Sequence, residues 1–201
     1  VAVVQELVIS VSGPRFRFSS HEATEVDHSL LELLRTPSGP VVPHLHAPLQ
    51  SGSDALLKRM GRHWYTAESY AAAIERVVDG RPVFGLGADI IVGFPGETDE
   101  DFAATERLVE RRPFTYLHVF TPSPRPGTAA TRLRETVPLG VAHARSHRLR
   151  HLAQEKAGIS RRARAGTTAD VVVIGGAGAR EGLTEDYLTV AVPDELPRAH
   201  R

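Results

Sequence analysis

Residues 44–54 read HLHAPLQSGSD. The two histidines fall two residues apart, so an extended segment puts them on one face. Gln50, Ser51 and Ser53 then supply short donors and acceptors at the end of the apolar run. That set suits hydrogen bonds to a ribose or an amino acid, and equally an ordinary polar turn. His44 and His46 could share a metal, but no further histidine or carboxylate stands at ligand spacing, so none is expected. Asp89 lies inside the apolar run GLGADIIVGF, where a carboxylate is costly unless it is paired or faces a cavity. GFPGE (93–97) is either a strand-to-helix turn that needs two glycines or a loop presenting Glu97 and backbone amides to a small ligand.

Two more stretches carry candidate chemistry. SSHEATE (19–25) offers Ser19, Ser20 and Glu22, with Glu22 able to hold a ribose hydroxyl or a ligand ammonium, and Glu25 and Asp27 suited to a helix cap. KRMGRHWY (58–65) interleaves Lys58, Arg59 and Arg62 with Trp64 and Tyr65. Such a mix grips phosphate and stacks bases, and is also common on a solvated helix end.

Strands and helices alternate around these residues. Period-2 or continuous apolar runs at 15–20, 41–50, 83–94 and 115–123 read as strands. The third is nearly all apolar, as expected of a parallel strand covered on both faces. Helical spacing marks 26–35, 67–78 after Thr66, and a segment from Thr98 or Asp99 to Arg111. Alternation of this kind predicts an α/β fold with a parallel sheet or barrel, whose chemistry sits past the carboxyl ends of the strands. The polar endings SSHE, QSGSD, GFPGE and PSPRPG all fall there. After Pro138 a long basic helix (141–166) carries Arg145, Arg148, Arg150, Lys156, Arg161, Arg162 and Arg164, and 169–193 gives two β runs around a Gly-rich connection. The basic helix is a candidate RNA contact.

Bulk numbers set the frame. The 201 residues are 41% hydrophobic and 24% charged, ordinary for a soluble globular protein, and 24 basic residues balance 24 acidic ones. Net charge therefore gives no reason to expect nucleic acid. There is no signal peptide or membrane-length apolar run, which reads as cytoplasmic. The absence of cysteine excludes disulfides, thiol nucleophiles and thiolate-held zinc or iron–sulfur clusters within this sequence. Val1 in place of methionine reads as a fragment or a non-standard start.

Taken together, HLHAPLQSGSDALLKRMGRHWYT, GADIIVGFPGETDEDF and FTPSPRPGT resemble, in order and over nearly the whole chain, the radical S-adenosylmethionine (SAM) methylthiotransferases. RMGRHWYTAESY and SSHEATEVD are most similar to the branch acting on threonylcarbamoyladenosine beside the tRNA anticodon. The resemblance implies the second half of a radical SAM partial (β/α) barrel over 1–138, a basic linker helix over 139–166, and the start of a small TRAM-like β-barrel over 167–201. It implies SAM and [4Fe–4S] clusters as cofactors, the latter held in the family by cysteines that this sequence lacks, so that the isolated chain is expected to be inactive. A partner chain supplying the missing half and the tRNA anticodon loop are the implied partners. Ser20, Glu22, Gln50, Ser51, Asp89 and Glu97 are the implied SAM contacts. Arg62, Tyr65, Arg125, Arg161 and Arg162 are the implied RNA contacts.

The alternative is a non-catalytic remnant or RNA-binding module without redox chemistry. Half a barrel is also expected to leave an open sheet edge and an exposed apolar inner face, both of which favour association.

Overall fold

The computed structural model describes residues 2–11, 13–36, 39–122, 133, 135–174 and 180–192. Its main sheet is four-stranded and parallel in sequential order: β1 (Phe16–Phe18), β2 (Val41–His46), β3 (Gly85–Ile91) and β4 (Tyr116–Phe120). Helix α1 (Ala2–Ser10) precedes it. Between strands run α2 (His28–Arg35), α3 (Asp54–Arg59), α4 (Ala67–Val78) and α5 (Asp99–Arg111). A long helix, α6 (Leu139–Arg164), follows, and then a separate antiparallel sheet of β5 (Val171–Ile174), β6 (Glu181–Thr184) and β7 (Thr189–Ala191).

The helix starts follow from their caps. The Asp27 carboxylate accepts the Leu30 amide at the head of α2, and Ser53 does the same for Leu56 at the head of α3. Thr66 with Ser69 and Thr98 with Asp101 form reciprocal capping boxes that open α4 and α5. In α4, Tyr70, Ala73, Ile74 and Val77 repeat at helical spacing and are all buried.

Side-chain alternation gives the parallel sheet two unlike faces. Phe16, Phe18, Val41, Leu45, Leu86, Ala88, Ile90, Leu117 and Val119 join the apolar core with Leu30, Leu34, Ile74, Val77, Phe102 and Val109 from the helices. The opposite face carries Arg17, His44, His46, Asp89, Tyr116 and His118. The expected apolar inner face is therefore largely a polar, aromatic one, because Phe16, Phe18, Leu45, Leu86, Ala88 and Leu117, which face the helices, alternate with polar residues or glycines. For the same reason β3 is not a strand buried by hydrophobes on both sides. A Cβ at Gly87 would occupy the Tyr116 ring, and one at Gly85 would meet the Asp186 carbonyl.

Asp186 and Tyr187 belong to the β6–β7 turn, which meets this face at the amino end of β3. Tyr187, at φ 71°, sets its ring 4.7 Å from that of His44 and 4.9 Å from that of Tyr116. Arg17 lies 5.0 Å over the Tyr187 ring and donates to the Thr184 carbonyl at 3.0 Å. Arg164, at the end of α6, pairs with Glu185 and Asp186, both at 2.9 Å. The second of the two β runs expected from sequence is thus two strands, divided by a turn whose side chains pack on the main sheet.

Helix α6 packs on β4 and α5. Arg145, almost wholly buried, donates at 2.6 Å to Glu97 and at 2.6 Å to Asp99. Arg148 pairs with Glu106, Arg150 donates to the Val119 carbonyl, and Lys156 to the Glu110 carbonyl. The basic residues of this helix are largely spent on holding it to the α/β body.

Arg145→Ala leaves the Glu97 carboxylate buried without its cation and is expected to lower stability by about 3 kcal/mol or more, read from urea denaturation. His44, packed among Arg17, His46, Tyr116 and Tyr187, has its pKa lowered to about 3, first by burial and then by the Arg17 charge. Below pH 6.5 the unfolded chain takes up a proton there that the folded chain refuses, so stability falls as pH drops from about 6.5 toward 3. The stability difference between pH 7 and pH 5 is expected to be smaller in His44→Gln than in the wild type.

Candidate functional site

Past the end of β2 the chain stays paired with β3, but not in simple register. His46 stands opposite Gly87 and Gln50 opposite Ile90, so three residues on one side face two on the other. The extra residue is a bulge, a device that bends a strand and re-aims its side chains. The amides of Leu49 and Gln50 both donate to the Asp89 carbonyl, at 3.1 and 2.8 Å, and Gln50 is left at φ 66°. Two tyrosines hold the bulge from beneath: Tyr70 donates its hydroxyl to the Ala47 carbonyl at 2.6 Å and Tyr65 to the Leu49 carbonyl at 2.9 Å. Burial pushes the Tyr65 hydroxyl up to about 12 and that of Tyr70 well above its ordinary value, so both remain donors at neutral pH.

Past the end of the neighbouring β1, Ser20 has φ 58°, and the His21 amide donates to the His46 carbonyl at 3.0 Å. Ser20 and Gln50, both left-handed, flank a 290 Å³ pocket lined also by His21, Glu22, Glu25, Pro48, Arg62 and Tyr65. Non-glycine residues held in this region store strain that the surroundings must enforce, and such positions cluster at binding sites. Glu22 directs one carboxylate oxygen to the Trp64 indole at 3.2 Å. Its other oxygen, and the His21 Nε2, are buried with no hydrogen-bond partner among the described residues. A polar ligand in the pocket would satisfy them. Arg62 stacks 5.2 Å over the Trp64 ring at the same rim.

The structure brings Ser20, Glu22, Gln50, Arg62 and Tyr65 together at one site. Ser51 and Glu97 turn inward instead. The Ser51 hydroxyl lies 3.2 Å from that of Thr105 and accepts the Ser53 amide, and Gly52 lies so close to Thr105 that a Cβ would strike its backbone. Glu97 accepts the Gly93 amide and the Arg145 guanidinium, both at 2.6 Å, while burial pushes its carboxyl up. Arg161 and Arg162 are exposed near the end of α6. Arg125 lies outside the described residues.

Asp89 sits on the polar face. Its Oδ1 is 3.0 Å from His46 Nε2 and 3.1 Å from His118 Nδ1, which explains how a carboxylate is tolerated in that strand. Here the structure differs from the expectation for the histidine pair. His44 turns to the Tyr116 hydroxyl at 2.9 Å, and His46 finds its carboxylate and second imidazole on the next two strands. Spacing along one strand cannot reveal partners that lateral pairing supplies. Tyr70, Thr105, Tyr116 and Arg145 likewise gave no sequence signal beyond being polar residues in apolar or basic segments.

A second cleft, larger at 830 Å³, opens at the amino ends of the strands between Arg15, Arg35 and Arg81. It lies away from the strand ends where the strained residues and the unpartnered Glu22 oxygen converge. Among the described residues no helix is long and apolar enough to cross a membrane.

Comparison with known proteins gives the family. A tRNA-2-methylthio-N(6)-dimethylallyladenosine synthase 1 from Mycobacterium marinum is 40% identical over 85% of this chain and 32% of its own length. The threonylcarbamoyladenosine tRNA methylthiotransferase MtaB of Bacillus subtilis is 40% identical over 77% of this chain and 34% of its own. That of Aquifex aeolicus is 39% identical over 70% and 34%. The chain thus spans about a third of the length of the curated relatives it matches. The family described as the Radical SAM superfamily matches residues 3–109, more than half of the sequence, and the chain belongs to it.

Proposed function

We propose that the chain is part of a radical SAM methylthiotransferase that adds a methylthio group to a modified adenosine of tRNA, and that the pocket between Ser20 and Gln50 holds SAM. The observation that carries this reading is the buried, unpartnered Glu22 oxygen in a pocket whose two flanking residues are held in strained backbone. Glu22 takes the ligand's ammonium or ribose hydroxyls, and the Ser20 and Gln50 side chains hydrogen-bond its polar edge. Asp89 contributes from the polar face, while Ser51 and Glu97 keep the rim in place. Radical SAM methylthiotransferases use SAM with [4Fe–4S] clusters, which generate the reactive radical. The 201 residues contain no cysteine, so thiolates for those clusters must come from outside them, and the isolated chain is inactive.

In this reading, residues 1–138 form the second half of the partial barrel and β5–β7 the beginning of a TRAM-like domain. Arg62, Arg125, Arg161 and Arg162 contact the anticodon loop, and Tyr65 acts through the rim that it supports. The enzyme works in the cytoplasm, with its tRNA. RMGRHWYTAESY and SSHEATEVD favour threonylcarbamoyladenosine as the substrate. The dimethylallyl substrate is the second reading, because relatives of both names match at 40% identity. An RNA-binding module without redox chemistry is the third, favoured by the missing cysteines.

Isothermal titration of the chain with SAM tests the pocket. Glu22→Gln is expected to weaken binding about tenfold or more, about 1.4 kcal/mol, with the fold unchanged by circular dichroism. No binding by the wild type, or equal binding by both, removes SAM from this pocket. Mass spectrometry of tRNA nucleosides from cells lacking the gene tests the reaction. The methylthio group is expected to vanish from threonylcarbamoyladenosine only. Loss from the dimethylallyl nucleoside instead reassigns the substrate, and loss from neither leaves the RNA-binding reading.

A further inference from the structure

His46, Asp89 and His118 come from three adjacent parallel strands and converge on the polar face. We propose that these three side chains bind one divalent transition-metal ion of the Zn²⁺ or Co²⁺ class. Their donor atoms all lie within 4.8 Å of one another. Both imidazoles approach the same oxygen, Asp89 Oδ1, at 3.0 Å from His46 Nε2 and 3.1 Å from His118 Nδ1. Donors on a tetrahedral zinc are about 3.4 Å apart, so each imidazole nitrogen stands within a few tenths of an ångström of the spacing an ion needs from Asp89 Oδ1, and the two nitrogens lie within 4.8 Å of each other. Two imidazoles and a carboxylate suit zinc and its neighbours rather than the hard, oxygen-seeking Ca²⁺ or Mg²⁺.

The surroundings fit a metal ligand set. The Tyr116 hydroxyl lies 3.0 Å from His46 Nδ1 and 2.9 Å from His44 Nε2. Donation from Nδ1–H to that hydroxyl leaves the Nε2 lone pair facing Asp89, the arrangement by which an outer group fixes the tautomer of a ligating histidine. The site is closed on one side and open on the other. The His46 side chain is 6% exposed, that of Asp89 24% and that of His118 51%. Three protein ligands and one accessible position match a metal that keeps a water or takes a substrate atom. The site shares Asp89 with the proposed SAM surroundings, but metal binding is read out with the ion alone, so its failure is distinguishable from failure of the transferase reading.

The test must exclude a simpler chelate. His143, His147 and His151 stand four residues apart on the exposed surface of α6, and neighbouring pairs at that spacing also bind zinc. His147→Ala breaks both pairs and supplies the background. Chelator-stripped protein in this background is titrated with Co²⁺, followed by its visible d–d absorption, and with Zn²⁺ by calorimetry. One equivalent is expected to bind, and His118→Ala and Asp89→Asn are each expected to weaken it by about tenfold or more. His118 is half exposed, so its removal leaves the melting curve unchanged and keeps the test valid even if Asp89→Asn destabilises the chain. A background that binds no ion, or one whose affinity His118→Ala does not change, overturns the site.

Discussion

The Tyr116 ring lies across position 87 of the neighbouring strand, and this is possible only because that position has no side chain. Its hydroxyl then reaches both His44 and His46, two strands away. A single aromatic residue thereby ties three parallel strands together on the face that the helices do not cover. It also forms the surface on which Tyr187 stacks, so the position of the small antiparallel sheet depends on the same vacancy. Gly85 repeats the principle one layer lower by admitting the Asp186 carbonyl. Two missing Cβ atoms convert what reads as a continuous apolar strand into the floor of a polar layer.

The second constraint is the bulge after β2. A regular strand would carry Gln50 onward in register. The extra residue instead bends the rim, leaves Gln50 in the left-handed region and aims it at the pocket. Such a conformation persists only when several contacts enforce it. Here they are two buried tyrosine hydroxyls on carbonyls 47 and 49, two amides on the Asp89 carbonyl, and the Ser51–Thr105 contact under the turn. Binding groups at the surface are thus positioned by polar groups that never reach the ligand. The GFPGE loop follows the same plan, with Glu97 drawn inward by Arg145 of α6 so that the long helix fixes the loop.

Much of this was readable from the chain. Thr66, Thr98 and Asp27 announce helix starts because a cap is a local interaction, and α2, α4 and α5 follow from apolar spacing. The polar endings SSHE and QSGSD both reach the rim of the pocket between Ser20 and Gln50, since alternating strands and helices put strand ends on one side. Within those stretches the roles divided unpredictably. Glu22 and Gln50 face the pocket, whereas Ser51 and Glu97, of similar type and place, serve the interior. Direction of a side chain beyond a strand end is set by the bulge and by Thr105 and Arg145, which are 54 and 48 residues away along the chain.

The sequence by itself determined the alternation of elements, the absence of thiolate ligands and the motifs that tie the chain to the radical SAM superfamily. Each depends on residue type or near-neighbour spacing. Only the tertiary structure decided which face of the sheet is polar, that Asp89 is shared by His46 and His118, and that the basic helix uses Arg145, Arg148 and Arg150 to hold the body together. Those outcomes rest on lateral register between strands and on helix packing. Both join residues far apart in the chain, where no local pattern records the partner.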